Sequence, residues 1–176
     1  MWRYALPLAI LAGLVGIFWH GLHVDPSRVP SPFIGKPAPQ FSLSELRHPD
    51  ETFSTSQLHG QIALVNFWGT WCVSCREEHP TLMQFAAHHD VPIYGVDYKD
   101  TRAAAVEWLG KRGDPYARVA FDPKSDAAIN WGVYGAPETF LIDANGVIRH
   151  KYIGPLTPEL IKNDLLPRIA RLRAEN

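Results

Sequence analysis

The sequence predicts an α/β domain, a mixed central sheet flanked by helices, with an apolar helix ahead of it. Three observations carry this expectation. Apolar runs of strand length alternate with segments of helical spacing through residues 62–172. The dipeptide Asn145-Gly146 joins the last two strand candidates as a hairpin, so crossover-linked strands are followed by an antiparallel pair. From Tyr4 to Leu22 the chain has no Asp, Glu, Lys or Arg.

Residues 1–23 are expected to form an uncleaved membrane anchor. The charge-free run, at 1.5 Å per helical residue, reaches roughly 28 Å, close to the hydrocarbon thickness of a bilayer. Arg3 precedes it, so the positive-inside tendency keeps the start in the cytoplasm and sends the rest across. Trp2, Tyr4 and Trp19 bracket it as interfacial aromatics do, and the bulky Ile17-Phe18-Trp19-His20-Gly21-Leu22-His23 offers no small-x-small cleavage site. Residues 24–40, with Pro26, Pro30, Pro32, Pro37 and Pro39, read as an extended tether and N-terminal extension. The domain proper takes 41–176.

Within it, strands are expected at 62–68, 91–98, 117–121, 138–143 and 147–153, and helices at 74–89, 101–112, 124–131 and 158–172. Trp68 faces the core by alternation, whereas Trp71 is expected as an exposed platform. Trp108 and Trp131, with Val106, Leu109 and Ile129, have the spacing of buried helix faces. Tyr134 is a candidate for lining a groove.

With 176 residues, 46% of them hydrophobic, and a formal net charge of −1, the chain has room for one packed core and no electrostatic bias toward nucleic acid. Its eight histidines are scattered rather than set at ligand spacing, so no metal site is expected.

The chemistry lies in the only two cysteines, Cys72 and Cys75, in Trp71-Cys72-Val73-Ser74-Cys75. A strand that delivers a Cys-x-x-Cys to the first turn of a helix makes a reactive dithiol, because helix N-terminal amides stabilise the first thiolate. Half of a zinc site is the competing reading, but zinc wants four ligands and there is no second cysteine pair. A permanent stabilising bridge is another, but so short a loop removes little unfolded-state entropy. Cys72 is then the attacking sulfur and Cys75 the resolving one. Glu77 and Glu78 follow on the same helix, either as solvated carboxylates near its N-terminus or as groups that tune the thiols.

The run Val65-Asn66-Phe67-Trp68-Gly69-Thr70-Trp71-Cys72-Val73-Ser74-Cys75, with Pro80 eight residues after Cys72, resembles the active-site segment of the thioredoxin superfamily. Gly132-Val133-Tyr134-Gly135-Ala136-Pro137-Glu138-Thr139-Phe140-Leu141-Ile142-Asp143 resembles its cis-proline segment. Together with Gly35-Lys36-Pro37-Ala38-Pro39-Gln40-Phe41 and Tyr98-Lys99-Asp100, the wording is similar to one branch, the membrane-anchored thiol:disulfide interchange proteins of cytochrome c biogenesis (DsbE/CcmG). The resemblance implies a thioredoxin-like fold with no cofactor beyond the redox-active Cys72-Cys75 pair. It implies a cis Pro137 that frees the backbone of Ala136 to pair with substrate, and acidic residues, Glu78 and Glu138, around the site.

It further implies a single-pass protein of the bacterial inner membrane with its C-terminal domain in the periplasm. That protein reduces the haem-attachment cysteines of apocytochrome c, or a mixed disulfide with a cytochrome c maturation component, and is re-reduced by a membrane electron donor of the DsbD/CcdA type. Two departures stand out: Asn66 replaces the buried Asp of thioredoxin itself, and Val73-Ser74 lacks the proline that most relatives place after the first cysteine. The potential is therefore open across the span of the fold, about −270 to −120 mV. Copper delivery, with His79 or His150 as ligand, and non-catalytic holding of apocytochrome are the other classes; copper chaperones of this fold use the wider Cys-x-x-x-Cys.

Overall fold

The computed structural model describes residues 2–22 and 32–175. It divides into two compact units, 1–30 and 31–176. In the first, α1 (Trp2–Leu22) is a helix with Pro7 inside it, and its described side chains, including Leu6, Leu8, Ile10, Leu11 and Leu14, are exposed. The expected helix is there. No helix among the described residues is long and apolar enough to cross a membrane. Residues 23–31, which include the first eight residues of the expected tether, lie outside the described residues.

The second unit is built on a five-stranded sheet in the order β5-β4-β3-β6-β7. Its centre is β3 (Ala63–Trp68), six buried residues in a row, as a strand covered on both faces requires. β4 (Ile93–Tyr98) and β5 (Arg118–Asp122) join it in parallel, whereas β6 (Glu138–Ile142) and β7 (Ile148–Ile153) pair antiparallel on the other side. The β6–β7 hairpin turns as expected: Gly146 takes φ 76, and Asp143 Oδ1 accepts from the amides of Asn145 (2.9 Å) and Val147 (3.0 Å). Such side-chain acceptance is what makes Asp a turn residue.

Alternation along β3 builds two cores. Leu64 and Trp68 pack with α2 (Val73–His88), α3 (Arg102–Arg112) and the C-terminal helix, whereas Ala63, Val65 and Phe67 pack with α4 (Asp126–Asn130) and the N-terminal segment. The C-terminal helix is α5 (Pro158–Leu160) passing through a π-helical turn (Ile161–Leu165) into α6 (Leu166–Glu175).

The structure departs from the sequence expectation in three places. Residues 35–39, assigned to the tether, pack onto the domain: Gly35 N donates to Ile148 O (2.7 Å), Ala38 N to Gly146 O (2.8 Å), and Pro39 O accepts from Trp131 Nε1 (2.9 Å). The extended backbone that proline imposes here fits a sheet edge as well as a linker. A small antiparallel pair, β1 (Ser42–Ser44) and β2 (Thr52–Ser54), was not expected, because strands of three residues carry too little alternation to read. Val106 and Ile129 are exposed rather than buried. α3 buries Ala105 and Leu109, one turn apart, which turns Val106 outward; α4 is a short helix whose buried face is Ala127 and Ala128, running into Trp131.

The second core centres on aromatics: Phe140 packs edge-on at 5.6 Å from Phe67 and 5.1 Å from Trp131, and all three are fully buried. Phe140→Ala is expected to lower stability by about 3–5 kcal/mol, the cost of a large buried aromatic and the cavity it leaves. Chemical denaturation of the oxidised protein measures it, and a loss below about 1 kcal/mol would show a core that collapses freely into the gap.

Candidate active site

β3 ends at Trp68, and a four-residue loop carries the chain to α2. Cys72 is the N-cap of α2, with extended backbone (φ −86, ψ 115), and its Sγ accepts from Cys75 N at 3.0 Å. The sulfur thus occupies the position where a capping oxygen normally receives an orphan helix amide. Cys72 and Cys75 form a disulfide, S–S 2.11 Å, with Cα atoms 5.3 Å apart. Both are nearly buried, 4% and 3% exposed. The cap position and not exposure distinguishes them: Cys72 faces the helix amides that stabilise a thiolate.

The loop is shaped around Trp71. Its indole folds back so closely over Gly69 that a Cβ there would meet Nε1 at 2.4 Å, so only glycine fits. Nε1 donates to Tyr98 O at 3.1 Å, and the ring stands edge-on to Tyr98 at 5.5 Å. Trp71 remains 48% exposed beside the disulfide. Trp68, by contrast, is buried and stacks on Tyr116 at 5.5 Å.

Pro137 follows a cis peptide bond from Ala136, as the resemblance implied. Strand register brings it to the disulfide's end of the sheet: Phe67 pairs with Glu138 across β3 and β6, so Pro137 enters β6 where β3 runs out toward Cys72. Ala136 is partly buried and packs against both cores, and Tyr134, two residues earlier, is 82% exposed.

The two acidic residues singled out from sequence are both buried, in opposite electrostatic settings. Glu78, three residues after Cys75 on the buried side of α2, is 2% exposed, whereas Glu77 is exposed. Burial pushes the Glu78 carboxyl up to about 7, against hydrogen bonds from Leu156 N (2.9 Å) and Asn66 Nδ2 (2.9 Å) that favour its charged form. Asn66 is the hub of this network, since Nδ2 also reaches Thr139 Oγ1 (3.0 Å) and Oδ1 accepts from Tyr116 OH (2.8 Å). The position that lacks thioredoxin's carboxylate therefore holds one delivered from α2.

Glu138, 1% exposed, is compensated by a cation. Its Oε2 lies 2.8 Å from Lys151 Nζ, an ion pair without hydrogen-bond alignment, and its Oε1 accepts from Tyr134 N at 3.0 Å. Lys151 Nζ donates to Gly132 O (2.7 Å) and lies 4.6 Å from the Tyr134 ring centre. One buried ammonium thus ties together the loop that carries Ala136-Pro137. Sequence reading missed Lys151, a lysine flanked by polar residues on an edge strand. His79 is turned inward, with Nε2 3.1 Å from Gly113 O and its ring edge-on to Trp108.

The Glu78 value gives a testable pH dependence. Its folded value, about 7, lies above the ordinary 4.5, so the stability it contributes is fully present below pH 4.5 and is lost as pH rises through 7. Relative to Glu78→Gln, the oxidised protein should lose about 3 kcal/mol across that window. Denaturant titrations at both ends measure the difference, and parallel pH slopes for the two proteins would rule out a raised carboxyl.

Comparison with known proteins agrees with this geometry. The Redoxin family model matches residues 33–165. The chain is 46% identical over 169 residues to the thiol:disulfide interchange protein DsbE of Allochromatium vinosum, covering 96% of this chain and 93% of that protein. It is 44% identical over 170 residues to DsbE of Pseudomonas aeruginosa, covering 97% and 94%. Among solved structures, a chain from Chlorobium tepidum assigned as a thiol:disulfide interchange protein DsbE superposes with a TM-score of 0.69 at 27% identity, covering 79% of this chain and 96% of that one. The chain belongs to the Redoxin family, in the DsbE branch of thiol:disulfide interchange proteins within the thioredoxin superfamily, and is a thiol-disulfide oxidoreductase.

Proposed function

We propose that this oxidoreductase works as a reductant in cytochrome c maturation. It returns disulfides of apocytochrome c haem-attachment cysteines, or mixed disulfides with a maturation component, to thiols. The observation that carries the reading is the Cys72-Cys75 disulfide capping α2 at the end of the sheet where cis Pro137 enters β6. In that arrangement an extended peptide laid beside Ala136 presents its sulfur to Cys72, with main-chain pairing as the source of affinity.

The exchange runs in two steps. The Cys72 thiolate attacks one sulfur of the substrate disulfide, forming a Cys72–substrate bond and expelling the other sulfur as thiolate. Cys75 then gives up its proton and attacks Cys72 Sγ, closing the internal disulfide and releasing the second substrate thiolate. Two electrons and two protons pass to the substrate, and a membrane dithiol donor of the DsbD/CcdA type restores Cys72 and Cys75. Glu78, one turn beyond Cys75 with a carboxyl poised at about 7, is suited to take the Cys75 proton at neutral pH. Trp71, Ala136 and Tyr134 form the platform for the substrate.

A periplasmic site at the inner membrane completes the proposal, with α1 as the anchor. The support for it is the charge-free run from Tyr4 to Leu22, whose described side chains offer no polar face.

Cys75→Ser should trap substrate on Cys72 as a stable mixed disulfide, and Cys72→Ser should lower exchange by at least about 1000-fold, as loss of a covalent nucleophile does. Non-reducing electrophoresis with an oxidised Cys-x-x-Cys-His peptide reads the first, and thiol release from that peptide the second. A Cys75→Ser protein that captures no peptide, or a wild-type redox potential near −120 mV, where this fold oxidises its substrates, would overturn the reductant reading.

A further inference from the structure

β4 ends in a buried acid that the exchange chemistry does not use. Asp97 is 0% exposed, and among the described residues no N–H or hydroxyl donates to either carboxyl oxygen; the hydrogen bond open to it is with the Asp100 carboxyl, and that bond exists only while one of the two carries a proton. Its alternation in β4, opposite to Tyr94, Val96 and Tyr98, puts it on the sheet face of the disulfide, directly beside Trp68 in the β3–β4 register. An ionised carboxylate does not persist in such a place without a counter-charge; it takes up a proton instead.

The groups whose charge acts on Asp97 favour the proton. From the segment after β4 comes Asp100, from β5 Asp122, from α3 Arg102, and from the turn before β5 the phenol of Tyr116. The one cation is held elsewhere: Arg102 donates to the carbonyls of Glu45 and Leu46 (both 2.5 Å) and to Ser44 Oγ (2.6 Å), and lies over the Phe121 ring. Burial first, then the charge of Asp100 and its hydrogen bond, push the Asp97 carboxyl up to about 8.

Asp100 is also what holds the active-site loop. Its Oδ2 accepts from Thr70 N at 2.5 Å and its Oδ1 from Thr101 N at 2.7 Å, while Trp71 Nε1 is bound by Tyr98 O. Lys99 takes a left-handed φ of 53 to turn the chain between these two contacts. Both residues just ahead of Cys72 therefore hang on the segment 98–100.

We propose that Asp97 is a positioning residue of the disulfide site: as a neutral acid it donates its proton to the Asp100 carboxylate and fixes the rotamer in which Asp100 receives the Thr70 amide. Loss of that proton sets two carboxylates against each other, turns Asp100 away from Asp97 and loosens the loop that aims Cys72. The proton stays between the two carboxyls; no electron and no substrate atom passes through the pair.

Two measurements on the full chain test this. In the oxidised protein, where neither cysteine titrates, the infrared C=O stretch of a protonated carboxyl should be present at neutral pH and vanish with a midpoint near pH 8. That step should persist in Glu78→Gln and be absent in Asp97→Asn, which keeps a neutral donor of the same shape. Second, the rate of disulfide reduction by dithiothreitol, taken as the ratio of wild type to Asp97→Asn so that the reagent's own ionisation cancels, should fall by roughly two- to tenfold from pH 6 to about pH 10, as expected for one lost hydrogen bond. A purely structural Asp97 would leave that ratio flat. A flat ratio, or no carboxyl band assignable to Asp97, overturns the proposal.

Discussion

The pairing of β3 with β6 is the constraint on which the site depends. The two strands lie some seventy residues apart in sequence, and their register sets Asn66 opposite Thr139 and Phe67 opposite Glu138. A slip of one residue would exchange the two faces of the sheet. Asn66 would then face the aromatic core, and Pro137 would no longer enter the sheet where β3 leaves it for Cys72. Large side chains prevent the slip. Phe67 and Phe140 alternate into one core, Trp68 and Leu141 into the other, and neither set has room on the opposite side.

Around that register the protein places three buried carboxyls in three different electrostatic settings. Glu138 keeps a cation, Lys151, at 2.8 Å, and the pair fastens the cis-proline loop. Glu78 keeps only neutral donors, Asn66 and the amide of Leu156, so burial prevails and its carboxyl is poised near neutrality. Asp97 receives no N–H or hydroxyl donor, and burial pushes its carboxyl up to about 8. Charged pairs hold geometry, whereas a carboxyl with neutral partners is free to exchange a proton, and this divides the acids into a fastening and two proton-holding groups. All three lie within a few residues of segments that touch the disulfide loop or the proline loop.

Much of the candidate site was legible in the sequence, because the features that encode it are local. Cys72, Val73, Ser74 and Cys75 lie within one helical turn, and the strand before them is a plain apolar run; the Asn-Gly hairpin needs only its own four residues. The less legible parts were those set by distant partners. Alternation marked Trp68 as core, but nothing near Glu77 and Glu78 told which would be buried; that follows from how α2 turns its face to β3. Val106 and Ile129 followed helical spacing and still point outward, since α3 and α4 bury small alanines close to the sheet instead. Lys151 and Asp97 look like ordinary strand residues until the packing of their neighbours removes them from water.

The sequence by itself determined the fold class, the order of crossover strands and hairpin, and the dithiol with its attacking and resolving positions, because each rests on spacing within a few residues. Only the tertiary structure decided the electrostatics of the site: which carboxyl meets a cation, which meets amides and which meets another carboxyl. The protonation of a buried acid depends on the few ångströms around it, and those are filled by residues from β4, β6, β7 and the chain before α5 that no local pattern links to Cys72.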